Sequence, residues 1–138
     1  MNLINVYNIS DKKYLPKKIL VEVCNSILAD FNIHNMELGI ILCDDKKILE
    51  INTEFLNHNY TTDVITFEIE EEPYICEIYI SVDTAERQAD EYEVSLKNEI
   101  LRLALHGVLH IVGYDDENDD KRLEMKMLED KYLNEYYN

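Results

Sequence analysis

The sequence contains no tryptophan, and only three glycines and two prolines among its 138 residues. So few flexible or helix-breaking positions exclude collagen-like, low-complexity and linker-rich architectures. The longest uninterrupted apolar stretches are short, as in Ile40-Ile41-Leu42-Cys43, far below the ~20 residues a helix needs to span a bilayer. The opening residues Met1-Asn2-Leu3-Ile4-Asn5 lack the basic-then-apolar layout of a secretory signal, so a cytoplasmic location is expected. Cys24, Cys43 and Cys76 are odd in number, far apart, set among apolar neighbours and without a CxxC pair, which predicts reduced core thiols rather than a disulfide frame. Basic residues are scarce: 13 Lys+Arg face 29 Asp+Glu, a formal net charge of −16. Taken alone, that balance argues against nucleic acid as a partner, because phosphate binding is driven mainly by Lys and Arg displacing counterions. The deficit is uneven, however, with six Lys against seven acids in residues 1–50 and seven basic against twenty-two acidic residues in 51–138. Composition therefore predicts solubility and leaves the site open.

What is present reads as one globular domain over residues 1–138, with 46% hydrophobic and 30% charged residues. A chain of this length buries about two-thirds of its unfolded surface and needs no staple. Leu3–Tyr7 predicts a strand. Ile19, Leu20, Val23, Cys24, Ile27, Leu28 and Phe31 form one apolar stripe on a helix that Pro16 can open. Met36, Leu38, Ile40 and Leu42 alternate with Glu37 and Gly39 as a second strand. Asp44 suits the N-cap of a helix buried through Ile48, Ile51 and Phe55. The polar loop 57–62 leads into a strand at Val64–Phe67, and Glu70-Glu71-Glu72-Pro73 turns the chain into another, where Cys76, Ile78 and Ile80 alternate with Glu77 and Tyr79. Three helices should follow, started by Asp83 with Glu86, by Ser95, and by Asp119 or Asp120. The order strand, helix, strand, helix, strand, strand, then helices predicts an α+β fold with helices on a small mixed sheet. A helical bundle carrying a hairpin fits the four strand-like runs less well.

The segment His106-Gly107-Val108-Leu109-His110-Ile111-Val112-Gly113-Tyr114-Asp115-Asp116 carries the chemistry. Residues four apart lie about 40° apart round a helix and one turn along it, so both imidazoles leave the same face. Gly113 stands where a left-handed residue ends a helix, reversing the chain so that Asp115 or Asp116 can return to that face. Three protein ligands with room for water suit a catalytic zinc ion. Hydrogen-bonded core histidines are the competing reading, which the reversal into carboxylates disfavours. Gly107 after His106 removes the glutamate base of an HExxH protease. A calcium loop counted from Asp116 fails, with Lys121 at the sixth position and Met127 at the twelfth.

This segment resembles the HGxLHLxGYDH signature of the YbeY family, metal-dependent endoribonucleases of ribosomal RNA maturation. Ile51-Asn52, Phe55 and Thr62-Asp63-Val64-Ile65-Thr66-Phe67 are similar to that family's LNxxYRxxDxPTDVLSF, and Glu77-Ile78-Tyr79-Ile80-Ser81 to its GDIxIS strand. The resemblance implies a four-stranded mixed sheet with about five helices and a zincin-like metal site at the end of a long helix. It implies one metal ion at the positions of His106, His110 and Asp116; Zn2+ is the expected ion, and the harder aspartate oxygen widens the choice to Mn2+ or Fe2+. It also implies single-strand-specific cleavage at the 3′ end of small-subunit ribosomal RNA, a part in ribosome quality control, and ribosomal RNA with the ribosome or its assembly factors as partners.

Three departures stand out: the family's third histidine falls on Asp116, its arginine on Leu56 and its GD pair on Cys76-Glu77. Aspartate can ligate zinc, but its charge makes bound water less acidic and admits harder metals. Leucine cannot contact a phosphate. Arg102, one turn before His106, is the replacement by geometry, against an ion pair with Glu99 or Glu91. Asp63 can orient water or a ligand histidine, or cap the turn before its strand. His34 and His58 are expected to be solvated, and the ten Tyr and three Phe to pack mostly in the core, with Tyr60 the loop exception. Lys12, Lys13, Lys17 and Lys18 oppose the first helix's dipole and form either an RNA-backbone patch or a solvated helix end. The alternatives to an endoribonuclease are a ribosome-assembly binding factor with a structural metal and a metal-dependent hydrolase of small molecules or peptides.

Overall fold

Period-two alternation of apolar side chains builds the sheet, and the two faces it creates bury different partners. The computed structural model describes residues 1–72 and 74–136; Pro73 of the expected acidic turn and the last two residues of the expected domain, 137 and 138, lie outside them. The strands are β1 (Leu3–Asn8), β2 (Met36–Cys43), β3 (Val64–Glu71) and β4 (Tyr74–Ser81), and the helices α1 (Lys17–Asp30), α2 (Asp45–Leu56), α3 (Val82–Tyr92), α4 (Leu96–Ile111) and α5 (Asp119–Tyr136). The sheet order is β1-β2-β4-β3, with β1 and β4 parallel to β2 and β3 antiparallel to β4. This is the expected α+β fold, a four-stranded mixed sheet with five helices. None of the helices is long and apolar enough to cross a membrane among the described residues.

Leu38, Ile40 and Leu42 of β2 and Cys76, Ile78 and Ile80 of β4 face the main core, which α1, α3, α4 and α5 complete. The opposite face, with Ile41, Cys43 and Ile65, is covered by Ile48 and Ile51 of α2. All three cysteines are free and buried, and burial pushes the Cys24 thiol up to about 12. They are the reduced core thiols that the sequence implied.

Local signals place the helix ends. Asp44 accepts from Lys47 N at 2.8 Å and Ser95 from Asn98 N at 3.0 Å, the two caps expected. At α3 the cap is Ser81, whose Oγ accepts from Thr84 N at 3.2 Å. The expected Asp83 instead lies inside the helix and accepts from Asp45 N at 3.0 Å, tying α3 to α2. Asn118, rather than Asp119 or Asp120, caps α5 by accepting from Lys121 N at 2.9 Å. Those two aspartates occupy its first turn, where they favour the positive end of the dipole.

Several aromatic expectations change. Phe55 is 64% exposed and meets Phe67 edge-on at 5.9 Å, so α2 buries Ile48, Ile51 and Asn52 instead. Tyr132 is in the core and Tyr60 is exposed in its loop, both as expected, whereas Tyr7, Tyr14 and Tyr92 are exposed. Tyr74 and Tyr114 pack partly buried against the main core and Tyr79 against the smaller one, whose interiors are otherwise mostly aliphatic.

Candidate metal centre

Helix α4 is buried almost all round, from Glu99 to Ile111, and Gly107 lets it approach the sheet. A Cβ at this position would lie 2.9 Å from Ile78 Cδ1 and 3.1 Å from Thr66 Oγ1. The glycine following the first histidine is therefore a packing requirement between helix and sheet. The helix then ends in a Schellman motif: Tyr114 N donates to Leu109 O at 3.0 Å and Gly113 N to His110 O at 3.1 Å. Gly113 has φ +112°, a conformation that favours a residue without Cβ. Tyr114 packs edge-on against Phe31 at 5.7 Å, which fixes the reversed chain and returns Asp116 to the histidine face.

The result brings together three of the residues singled out in the sequence. One ligand atom from each of His106, His110 and Asp116 lies within 4.8 Å of the others. His106 Nε2 is 3.1 Å from His110 Nε2 and 3.6 Å from Asp116 Oδ2. Of the two candidate aspartates, Asp116 joins the cluster, while Asp115 accepts from Lys121 Nζ at 3.3 Å and from Glu117 N at 3.1 Å. These contacts hold the Asp115 carboxyl below its usual range, the Glu117 N–H being the larger cause.

A residue missed in the sequence orients the set. Glu129 of α5 is 6% exposed; its Oε2 accepts from His106 Nδ1 at 2.9 Å and its Oε1 from Arg102 Nη1 at 3.0 Å. With its proton on Nδ1, His106 keeps the Nε2 lone pair for the cluster. Burial opposes a charged imidazole here, but the hydrogen bond and charge of Glu129 outweigh it and raise the His106 pKa above its ordinary value. A signal for Glu129 did exist: it is the only charged member of the stripe Met125, Leu128, Glu129, Tyr132, Leu133. Tyr132 locks that stripe in place by donating from its hydroxyl to Asp30 Oδ2 at 2.6 Å.

Arg102 is paired, but with partners other than the expected Glu99 or Glu91. Besides Glu129 it donates from Nη2 to Asp130 Oδ1 at 2.6 Å, and it lines a cavity beside the one holding His110. Asp63 accepts from Val64 N at 2.8 Å and from Gln88 Nε2 at 3.3 Å, which gives it the turn-capping part of its expected role. Lys12 pairs with Glu86 at 2.7 Å.

The cluster opens into a cavity of about 640 Å³, whose wall also carries Asn52, Leu56, His58, Tyr60 and Asp63. Leu56 stands on this wall where the resemblance places an arginine. None of the described residues lining the cavity is Lys or Arg, while Asp63, Glu68 and Asp116 are acidic. His58 is exposed as expected, but it has a partner: its ring stacks on Tyr60 at 5.2 Å and 12°. The donor set, two imidazoles and a carboxylate with one imidazole held by a buried acid, fits a single divalent transition-metal ion.

Fold and ligand set together define an α+β protein with a candidate single-ion centre at the C-terminal end of its central helix. The family model described as Endoribonuclease YbeY matches residues 5–137. The chain is 37% identical over 134 residues to the Endoribonuclease YbeY of Chlorobium limicola, covering 96% of this chain and 92% of the relative. It is 39% identical over 110 residues to that of Flavobacterium psychrophilum, covering 79% of each. The solution structure of a Thermotoga maritima protein aligns with a TM-score of 0.66 at 29% identity, covering 96% of this chain and 89% of the other. The chain belongs to the YbeY endoribonuclease family.

Proposed function

We propose that this protein is a metal-dependent, single-strand-specific endoribonuclease of the cytoplasm that matures the 3′ end of small-subunit ribosomal RNA and serves ribosome quality control. The convergence of His106, His110 and Asp116 on an open cavity carries this reading. Zinc is the first choice of ion, with manganese or iron favoured by the harder aspartate oxygen. When bound, a divalent cation supplies positive charge to a scissile phosphate and makes water a better nucleophile at neutral pH.

The chain's own residues do the rest. Glu129 holds His106 in the tautomer that presents Nε2, and Arg102, engaged by Glu129 and Asp130, acts as a positioning residue behind that acid. Asp63 stands on the cavity wall, where its carboxylate can accept a proton from water approaching the phosphate. Asp116 lowers the net positive charge of the centre by one relative to a third neutral imidazole. Leu56 contributes no charge where the family pattern has an arginine.

That last feature favours a second reading, a ribosome-assembly binding factor with a structural metal, because the cavity wall offers a phosphate no Lys or Arg among the described residues. Purified protein freed of contaminating nuclease and incubated with single-stranded RNA separates the two. Cleavage that a chelator abolishes and added zinc or manganese restores supports the enzyme. Binding without cleavage supports the assembly factor.

A further inference from the structure

The polar loop after α2 presents two aromatic rings to solvent on the wall of the metal cavity. Tyr60 is 56% exposed, and its ring lies nearly parallel to that of His58, 12° apart with centroids at 5.2 Å. The tyrosine hydroxyl and His58 Nδ1 are 3.1 Å apart, so the pair is held edge to edge as well as face to face. Neither ring belongs to either hydrophobic core, and folding alone gives no reason to keep them exposed.

The loop is also rigidly tied. Asn52, 2% exposed, donates from Nδ2 to Tyr60 O at 2.8 Å and accepts through its backbone oxygen from His58 N at 3.0 Å. Thr53 Oγ1 donates to His58 O at 3.3 Å. Asn57, with φ 57°, makes the left-handed turn that closes α2 and delivers His58 to the cavity. A buried asparagine spent on anchoring an exposed ring pair marks a preorganised platform rather than a loose loop tip.

The charge on the wall narrows what the platform can bind. With Asp63, Glu68 and Asp116 present and no Lys or Arg among the described lining residues, the wall offers a phosphate backbone no permanent positive charge. Affinity must come from the ion and from an interaction indifferent to phosphate charge. Stacking on a nucleobase is such an interaction, and it selects strands whose bases are free to leave their neighbours.

We infer that the His58–Tyr60 pair is a nucleobase-stacking subsite that seats one unpaired base of a single-stranded RNA beside the metal centre. The inference rests on the reading of the protein as one that acts on RNA, and it makes strand selection a property of this loop.

Fluorescence anisotropy of the metal-loaded protein tests it, using two labelled oligomers of equal length and charge. One is a 2′-O-methyl oligoribonucleotide with bases; the other carries abasic units throughout. The wild type should prefer the base-bearing oligomer roughly 5- to 150-fold, the range expected for one stacked base. Tyr60→Ala should erase the preference, Tyr60→Phe should keep most of it, and all variants should bind the abasic oligomer alike. Equal thermal unfolding of the variants shows that the loop changes leave the fold intact. A wild type without preference, or a Tyr60→Ala variant that retains it, overturns the subsite. Cleavage of single-stranded RNA is followed in parallel. Cleaving protein with an unchanged preference in Tyr60→Ala refutes the platform and leaves the nuclease reading standing. A Tyr60-dependent preference without cleavage supports the platform and refutes the nuclease.

Discussion

Replacing Glu129 with glutamine should weaken divalent-metal binding by roughly 10- to 100-fold, the usual effect of losing a carboxylate behind a ligand histidine. That range corresponds to about 1.4–2.7 kcal/mol. The side chain keeps its shape, and its carbonyl can still accept from His106 Nδ1, but the amide then faces Arg102 Nη1, so two donors compete across a contact that was 3.0 Å. Arg102 retains Asp130 at 2.6 Å and is 28% exposed at its side chain, which holds the stability loss to about 1–3 kcal/mol, below that of an isolated buried charge. A second variant separates positioning from folding. Arg102→Met with Glu129→Leu removes both members of the pair and should restore much of the stability, yet metal binding should stay weak because nothing fixes the His106 tautomer. Competition with a chromophoric chelator gives the affinities, and nitrogen-15 spectra of the imidazoles give the tautomer, with Nδ1 protonated in the wild type. Affinities of both variants within about twofold of wild type, well below the expected range, would falsify the orienting role of Glu129.

Other predictions follow from the same geometry. Asp116→Ala should reduce bound metal well below one ion per chain by elemental analysis, and full retention would remove Asp116 from the ligand set. Gly107→Ala should lower stability by about 1–2 kcal/mol, because overpacking against Ile78 and Thr66 exceeds the gain in helix propensity; a higher denaturation midpoint would contradict the packing. Glu99 is 3% exposed, and burial pushes its carboxyl from 4.5 up to about 7 against the pull of Arg102. Between those values the folded state keeps a proton that the unfolded chain has released, so this group costs stability as pH rises from about 4.5 to 7, in full above it. Glu99→Gln in chelator-treated protein should therefore gain about 1–3 kcal/mol over wild type at pH 8 and nothing near pH 4, and a gain independent of pH would refute the assignment.

The elements and the candidate ligands are legible because their signals are local. Alternation in Met36–Cys43, the stripe on α1, the caps Asp44 and Ser95, and the His106–His110 spacing each need only a few neighbouring residues. Gly113 announced the reversal that brings Asp116 round, although the choice between Asp115 and Asp116 needed the path of the loop. The caps at Ser81 and Asn118 stand one or two residues before the aspartates to which the sequence points, since several side chains of similar chemistry stand close together there.

The misplaced aromatics show where local reading stops. Phe55 has the spacing of a buried residue, but α2 covers a small face of the sheet that Ile48 and Ile51 already fill. Nothing within α2 reports how wide that face is. Arg102 lies one turn from His106, as its spacing dictates, yet its partners come from α5, 27 and 28 residues away.

The sequence by itself determined the strands, the helices, the −16 charge and the two-histidine face, because hydrophobic period and ligand spacing are properties of a single segment. Only the tertiary structure decided that a buried glutamate on α5 hydrogen-bonds His106, that Arg102 pairs with that glutamate, and that His58 and Tyr60 share a cavity with the candidate ligands. Those relations join residues on separate elements. They are fixed by which faces the sheet and helices bury against one another, and a long-range hydrogen bond leaves no periodic trace in the chain.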